Sequence, residues 1–223
     1  MAAPELLDPR RHGLLKLRAP SAQPPHFVQV LANEFAAAAT CCPVLLSKDT
    51  NDGRFFAGAM FGFKPGENLV GGIEERGGFD PLMLRREGFF TSAEQIAIDP
   101  DHARFSETDG EPLFDETSSP AAALRAMQRV LGEIHSGLEQ TQTFIAAMTQ
   151  LKLIEPIDIS LTFADGERLS LQGLYTLSLD RLRAVDDADA LRLFRGGHLQ
   201  LAYVVTASLR HLGRLAQRRN GRA

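Results

Sequence analysis

The sequence predicts an α+β fold, with a Gly-rich antiparallel β region in the N-terminal half and a mainly helical C-terminal half containing one β-hairpin. Three observations predict it. Short apolar runs between residues 44 and 73 are separated by turn signals and carry glycines at 58, 62, 71 and 72, with two more at 77 and 78. Between Leu124 and Met148, apolar residues recur every three or four positions, the spacing of one helix face. Ile157, Ile159, Leu161 and Phe163 alternate with polar residues and lead to Asp165–Gly166, a pair suited to tight hairpin turns.

Taken in order, residues 1–25 carry prolines without sustained periodicity and read as an arm. Helix formers in "HFVQVLANEFAAAATC" predict a helix that ends at Pro43, because the residue before a proline avoids the α region. "VLLS" reads as a buried strand, "NDG" as a turn and "RFFAGAMFGF" as the strand pairing back. "KPGEN" is a second turn, "LVGGI" a third short strand, and "DPLMLRREGFFTSAEQIAIDPD" further strand and turn. Ser119 is the expected N-cap and Pro120 the first residue of the long helix. Its stripe is Leu124, Met127, Leu131, Ile134, Leu138, Ile145 and Met148, interrupted by Thr141. Gly132 and Gly137 weaken this helix and suggest a break near "HSG". Short helices over 178–197 precede a final helix from about Leu199 to Arg218, and "RLAQRRNGRA" reads as a frayed basic end. The expected division is an arm at 1–25, a mostly β region at 26–117 and a helical region at 118–223 with its hairpin at 157–174, within one compact domain.

Composition narrows the function classes. A chain of 223 residues with 44% hydrophobic and 23% charged residues is that of a soluble globular protein. A net charge of −4 argues against nucleic-acid binding, which rests on cations that neutralise phosphates. Charges and prolines break every apolar run near the start, so no secretory signal is read, and "LQLAYVVTASL" is far short of the ~20 residues of a membrane span. The expected compartment is the cytoplasm, which two cysteines in so long a chain also fit.

Those two cysteines are adjacent. A Cys41–Cys42 disulfide would hold α-carbons ~3.8 Å apart, where bridges want at least ~4.4 Å. A metal site needs three or four converging ligands, and no C-x-x-C motif or neighbouring histidine supplies them. Activation by a group distant in sequence leaves a nucleophilic cysteine open; packing of two small side chains at a helix-to-strand junction is the plainer reading. The six histidines show no H-x-x-x-H spacing, and the glycines form neither a P-loop nor a G-x-G-x-x-G fingerprint. No G-x-S-x-G elbow appears, and the acidic run around "IDPDHARFSETDGEPLFDE" lacks the order of a calcium loop. No cofactor, no metal and no catalytic signature is therefore expected.

Glu34–Phe35, Cys42 to Leu46 ("CPVLL"), Gly66 to Leu69 ("GENL") and Leu84 to Phe89 ("LRREGF") follow one another in the first half. Ile98 to Asp101 ("IDPD"), Gly110 to Glu116 ("GEPLFDE") and "GGHLQLAYVVTASLRHL" complete an ordered set. Together they resemble the SapC-like family of bacterial proteins. The chain departs from that pattern in having no Trp and in placing Cys42 where the family tends to have an aromatic residue before the proline. The family takes its name from a component linked with S-layer protein export, and many members are encoded near TonB-dependent receptors, halogenase-like proteins and cupin-like oxygenases. The resemblance thus implies a cytoplasmic accessory protein that binds a protein or peptide partner in surface-protein handling or receptor-linked uptake. It carries over no catalytic residue. The alternative is an enzyme, or an enzyme's partner, in peptide or small-molecule modification. Candidate ligand-binding residues are the polar positions inside the motifs: Glu34, Asn68, Arg85, Arg86, Asp99, Glu111 and Asp115. A homodimer through the apolar stripe is a third option.

Overall fold

In the computed structural model, which describes residues 4–20, 24–92 and 95–221, the chain begins with β1 (Glu5–Leu6), α1 (Pro9–His12), β2 (Lys16–Leu17) and β3 (Phe27–Gln29). α2 (Phe35–Ala38), β4 (Val44–Lys48), β5 (Phe55–Met60), α3 (Leu82–Arg85), β6 (Phe89–Ser92) and β7 (Gln95–Ile98) follow. Next come β8 (Phe105–Ser106), β9 (Glu111–Pro112), α4 (Ala122–Gln150), β10 (Ile154–Pro156), β11 (Ile159–Thr162), β12 (Arg168–Leu171) and β13 (Leu174–Leu177). Four helices end the chain: α5 (Leu179–Arg183), α6 (Asp187–Arg195), α7 (His198–Ser208) and α8 (His211–Asn220). Antiparallel sheets thus occupy the N-terminal half and helices dominate the C-terminal part, the predicted α+β class. The chain divides into two compact units, one of residues 1–22 with 82–136 and the other of residues 23–81 with 137–223.

The second unit is built on a five-stranded antiparallel sheet in the order β10-β13-β4-β5-β3. β4 is its central strand. Val44, Leu45 and Leu46 are consecutive and all fully buried, so both faces of the sheet are covered at this point. α7 packs against β4, β13 and α2, and Phe35 of α2 meets Phe144 of α4 edge to face at 5.7 Å. Gly58 of β5 has no side chain because the Phe27 ring of β3 lies across that position.

Four local readings are corrected in this unit. The expected helix over 26–42 is only a 3₁₀ turn at Ala32–Glu34 followed by α2, because Phe27–Gln29 pair with β5 as an edge strand. "LVGGI" is loop rather than strand: the Asn68 side-chain oxygen accepts the Val70 and Gly71 N–H groups at 3.1 Å, leaving little of that backbone for a sheet partner. The final helix is two helices separated near Leu209, where a bond from its N–H to the Thr206 carbonyl tightens the turn. The Asp165–Gly166 turn spans three residues, Ala164 to Gly166. Gly166 sits at φ +85°, a left-handed conformation that suits such loops.

The first unit holds two three-stranded antiparallel sheets, β1-β7-β6 and β8-β2-β9, with α3 and the beginning of α4. Residues 5–17 of the expected arm therefore supply two strands and a helical turn; positions 1–3 and 21–23 of that arm lie outside the described residues. α4 runs unbroken through Gly132 and Gly137. It begins at Ala122 rather than at Ser119–Pro120, because the Ser119 N–H bonds the Asp115 carboxylate and Pro120 bridges to Phe114. Leu124, Met127, Leu131, Ile134 and Met148 of its stripe are buried.

Candidate functional site

Five of the seven candidate residues lie in the first unit, and Glu34 and Asn68 lie in the second. In the first unit, "LRREGF" and "IDPD" interlock. The Asp99 N–H bonds the Gly88 carbonyl at 3.0 Å, and Ile98 pairs with Phe89 across the β6–β7 hairpin. Buried Arg104 clamps this junction, donating to the Arg85 carbonyl at 2.5 Å and to the Glu87 and Arg18 carbonyls at 3.3 Å. A guanidinium suits the task because its donors point in several fixed directions toward buried acceptors. Arg86 donates to the Phe89 carbonyl at 3.3 Å and lies 5.8 Å from the Phe90 ring centre. The Asp99 carboxylate accepts the Asp101 N–H at 3.3 Å. Glu111 is exposed on β9, opposite Leu17 of β2. Asp115 accepts the Thr117 hydroxyl and the Thr117 and Ser119 N–H groups, which together hold its carboxyl below the usual range, the hydroxyl contributing most.

In the second unit, Glu34 is buried and accepts the Leu31 N–H at 2.9 Å, closing the 3₁₀ turn. Asn68 lines a cleft of about 320 Å³ formed by residues 64–69 and Arg219. Arg219 is 8% exposed, stacks on Phe163 at 3.9 Å, and pairs with Glu67 at 3.5 Å and with Glu167. Lys64 lies 3.6 Å from Glu167, and Arg218 donates to the Leu69 carbonyl at 2.9 Å. The cleft thus offers two cations already shared among carboxylates, a setting for a small polar or anionic group. The basic end is not frayed at Arg219, and the signal lay in its position four residues after Leu215, on the buried side of α8.

The second unit also holds the two cysteines and a buried arginine. Both thiols point to the Ala38 carbonyl, Cys41 at 3.4 Å and Cys42 at 3.2 Å, and their sulfurs are 3.7 Å apart. Arg76 is 4% exposed and sits over the Phe61 ring at 4.8 Å. Its Nε and Nη1 have no partner among the described residues. "EERGG" gave no sign of this, since an arginine in a glycine-flanked polar turn reads as solvated. Among the described residues, no three His, Cys, Asp or Glu side chains are grouped to hold a metal ion, and no helix is long and apolar enough to cross a membrane.

A model of the SapC family matches residues 7–215, covering both units. The chain belongs to the SapC family. No curated protein and no solved structure matches it. The C-terminal motif is tied by polar side chains to "CPVLL" and to the turn before it. Ser208, in the C-terminal motif, accepts the Val44 N–H of "CPVLL" at 2.8 Å, and His211 bonds the Ala39 carbonyl at 2.9 Å.

Proposed function

We propose that this SapC-family chain is a cytoplasmic accessory protein that binds a protein or peptide partner, in surface-protein handling or outer-membrane-receptor-linked uptake. The observation that carries the reading is the apolar surface of α6 and α7. Phe194 is 69% exposed, Leu191 one turn before it 46%, and Tyr203 on the adjoining α7 50%. Large apolar side chains left exposed on packed neighbouring helices are a familiar component of protein-binding surfaces. The α4 stripe contributes little to such a surface, since most of its residues are buried within the chain.

The test is affinity capture from the native cell with the wild-type chain and with a Leu191→Ser, Phe194→Ser variant, followed by mass spectrometry. A partner lost selectively by the variant, with affinity down at least about 30-fold, is expected if these residues anchor the interface. Equal capture by both forms removes this surface from the reading. A second reading, a small-molecule or peptide enzyme, draws support from the cleft at Lys64–Leu69, whose volume is at the lower end for ligand sites. Ligand-induced thermal stabilisation that Asn68→Ala removes would favour it.

A further inference from the structure

The cleft formed by residues 64–69 and Arg219 lies wholly within the second unit. The side-chain acceptors in its wall are engaged, whereas donors remain. Glu67 Oε2 accepts the Phe63 N–H at 2.6 Å, and its Oε1 faces Arg219 Nε at 3.5 Å. The Asn68 side-chain oxygen serves the Val70 and Gly71 N–H groups, and its Nδ2 donates to the Gly71 carbonyl at 3.1 Å. On the donor side, the Lys64 side chain is half exposed and meets Glu167 only at 3.6 Å. Arg219 turns Nε and Nη2 to the two carboxylates, while its buried Nη1 has no partner among the described residues. A buried guanidinium donor left unmet carries a desolvation cost that an incoming acceptor relieves.

We propose that this cleft binds the carboxylate of a small organic acid or of a peptide C-terminus, held between Lys64 Nζ and Arg219 Nη1. Glu167 shows that one carboxylate spans the two side chains, because its Oε2 is reached by both Lys64 and Arg219. Binding here rests on the cleft being a ligand site, as in the second reading above, and needs neither catalysis nor the apolar surface of α6 and α7.

Charge selects a monoanion. Lys64, Arg218 and Arg219 gather at the cleft against Glu67 and Glu167, which leaves one positive charge over. A carboxylate balances it, whereas a phosphate dianion sets excess negative charge beside two carboxylates. A planar group with two oxygens also matches the fork of a guanidinium. Pro65 and Leu69 supply the apolar part of the wall for the ligand's carbon skeleton. The flexible Lys64 stem, half in solvent, is the part of the wall that swings to admit the acid to Nη1.

The experiment titrates the full folded chain by calorimetry with N-acetylalanine, N-acetyl-trialanine, the amide of each, and inorganic phosphate. Expected is binding of the two acids, at least about 30-fold tighter than that of the matching amides. Tighter binding of the trialanine acid assigns the cleft to chain ends; equal or weaker binding assigns it to small acids. Lys64→Met is expected to weaken the acids about fivefold, as suits a half-exposed charge, and Arg219→Gln to abolish binding. Glu167→Gln removes the resident carboxylate and is expected to tighten the acids by about fivefold, which a merely structural glutamate does not give. Absence of binding by both acids at millimolar concentration overturns the proposal. So do equal binding of acids and amides, phosphate bound as tightly as the acids, or affinity unchanged in both Lys64→Met and Glu167→Gln, which leave Arg219 in place. Each of these results is read apart from the capture experiment on Leu191 and Phe194.

Discussion

Thr141 interrupts the apolar stripe of α4, and its environment explains why a hydroxyl stands there. It accepts the Ala32 N–H at 2.8 Å and donates to the Gly137 carbonyl at 2.5 Å, both away from water. Thr141→Val keeps the shape but strands a buried N–H, so a loss of about 1–3 kcal/mol in denaturant unfolding is expected, with Thr141→Ser closer to wild type. Arg104→Ala leaves three carbonyls short of a donor and removes stem packing; about 3 kcal/mol is expected by the same measurement. The histidines add a pH dependence. Burial holds His198 below the ordinary imidazole range. It does the same for His211, where charges on Arg214, Arg210 and Arg218 add to the effect and the Ala39 carbonyl opposes it. The unfolded chain therefore takes up protons that the folded chain refuses. Stability is full above about pH 6.5 and falls as pH drops toward the lowered folded values. Denaturant midpoints measured between about pH 8 and 5 should show that slope, and His198→Gln should flatten it.

Among the elements, α4 offers the sharpest contrast. Gly132 is exposed and a methyl group there would meet nothing within 4 Å, so Gly132→Ala is expected to stabilise by about 1 kcal/mol. A methyl at Gly137 would come within 2.6 Å of Asn33 Oδ1, and Gly137→Ala is expected to lower the melting temperature instead. From sequence the two glycines looked alike, each a weak point in a helix. What separates them is a neighbour from another part of the chain. The same holds for "LVGGI", whose apolar character suggested a strand until the Asn68 side chain took its N–H groups. Elements governed by their own periodicity were legible: β4 and β5, the β11–β12 hairpin and the long course of α4. Elements decided by a distant partner were not, and β3 is the clearest case, since only its pairing with β5 sets "HFVQ" apart from the helix formers after it.

At the scale of the whole molecule, the family motifs were legible as short strings, but their purpose was not. Asp99, Arg86, Asn68 and Glu34 each serve a turn or a backbone group. The groups with chemistry to spare, Arg76 and Arg219, lie outside the motifs that drew attention. Arg76 does not announce itself, because burial of an arginine in a polar turn is set by packing that local sequence does not encode, whereas Arg219 is signalled only by its spacing from Leu215. The unit boundaries were equally hidden, since each unit joins two separated stretches of chain.

That discontinuity gives the nascent protein an order of birth. β4 leaves the ribosome early, but the Ser208 hydroxyl that receives the Val44 N–H lies 164 residues further on. At roughly 5–20 residues per second, Val44 waits between roughly 8 and 33 seconds for it. The first unit ends at residue 136 and has its full complement of chain well before then. Until β13 follows, the side of β4 that will receive it is a bare apolar edge on a growing chain, the state in which holding chaperones and unwanted strand pairing compete.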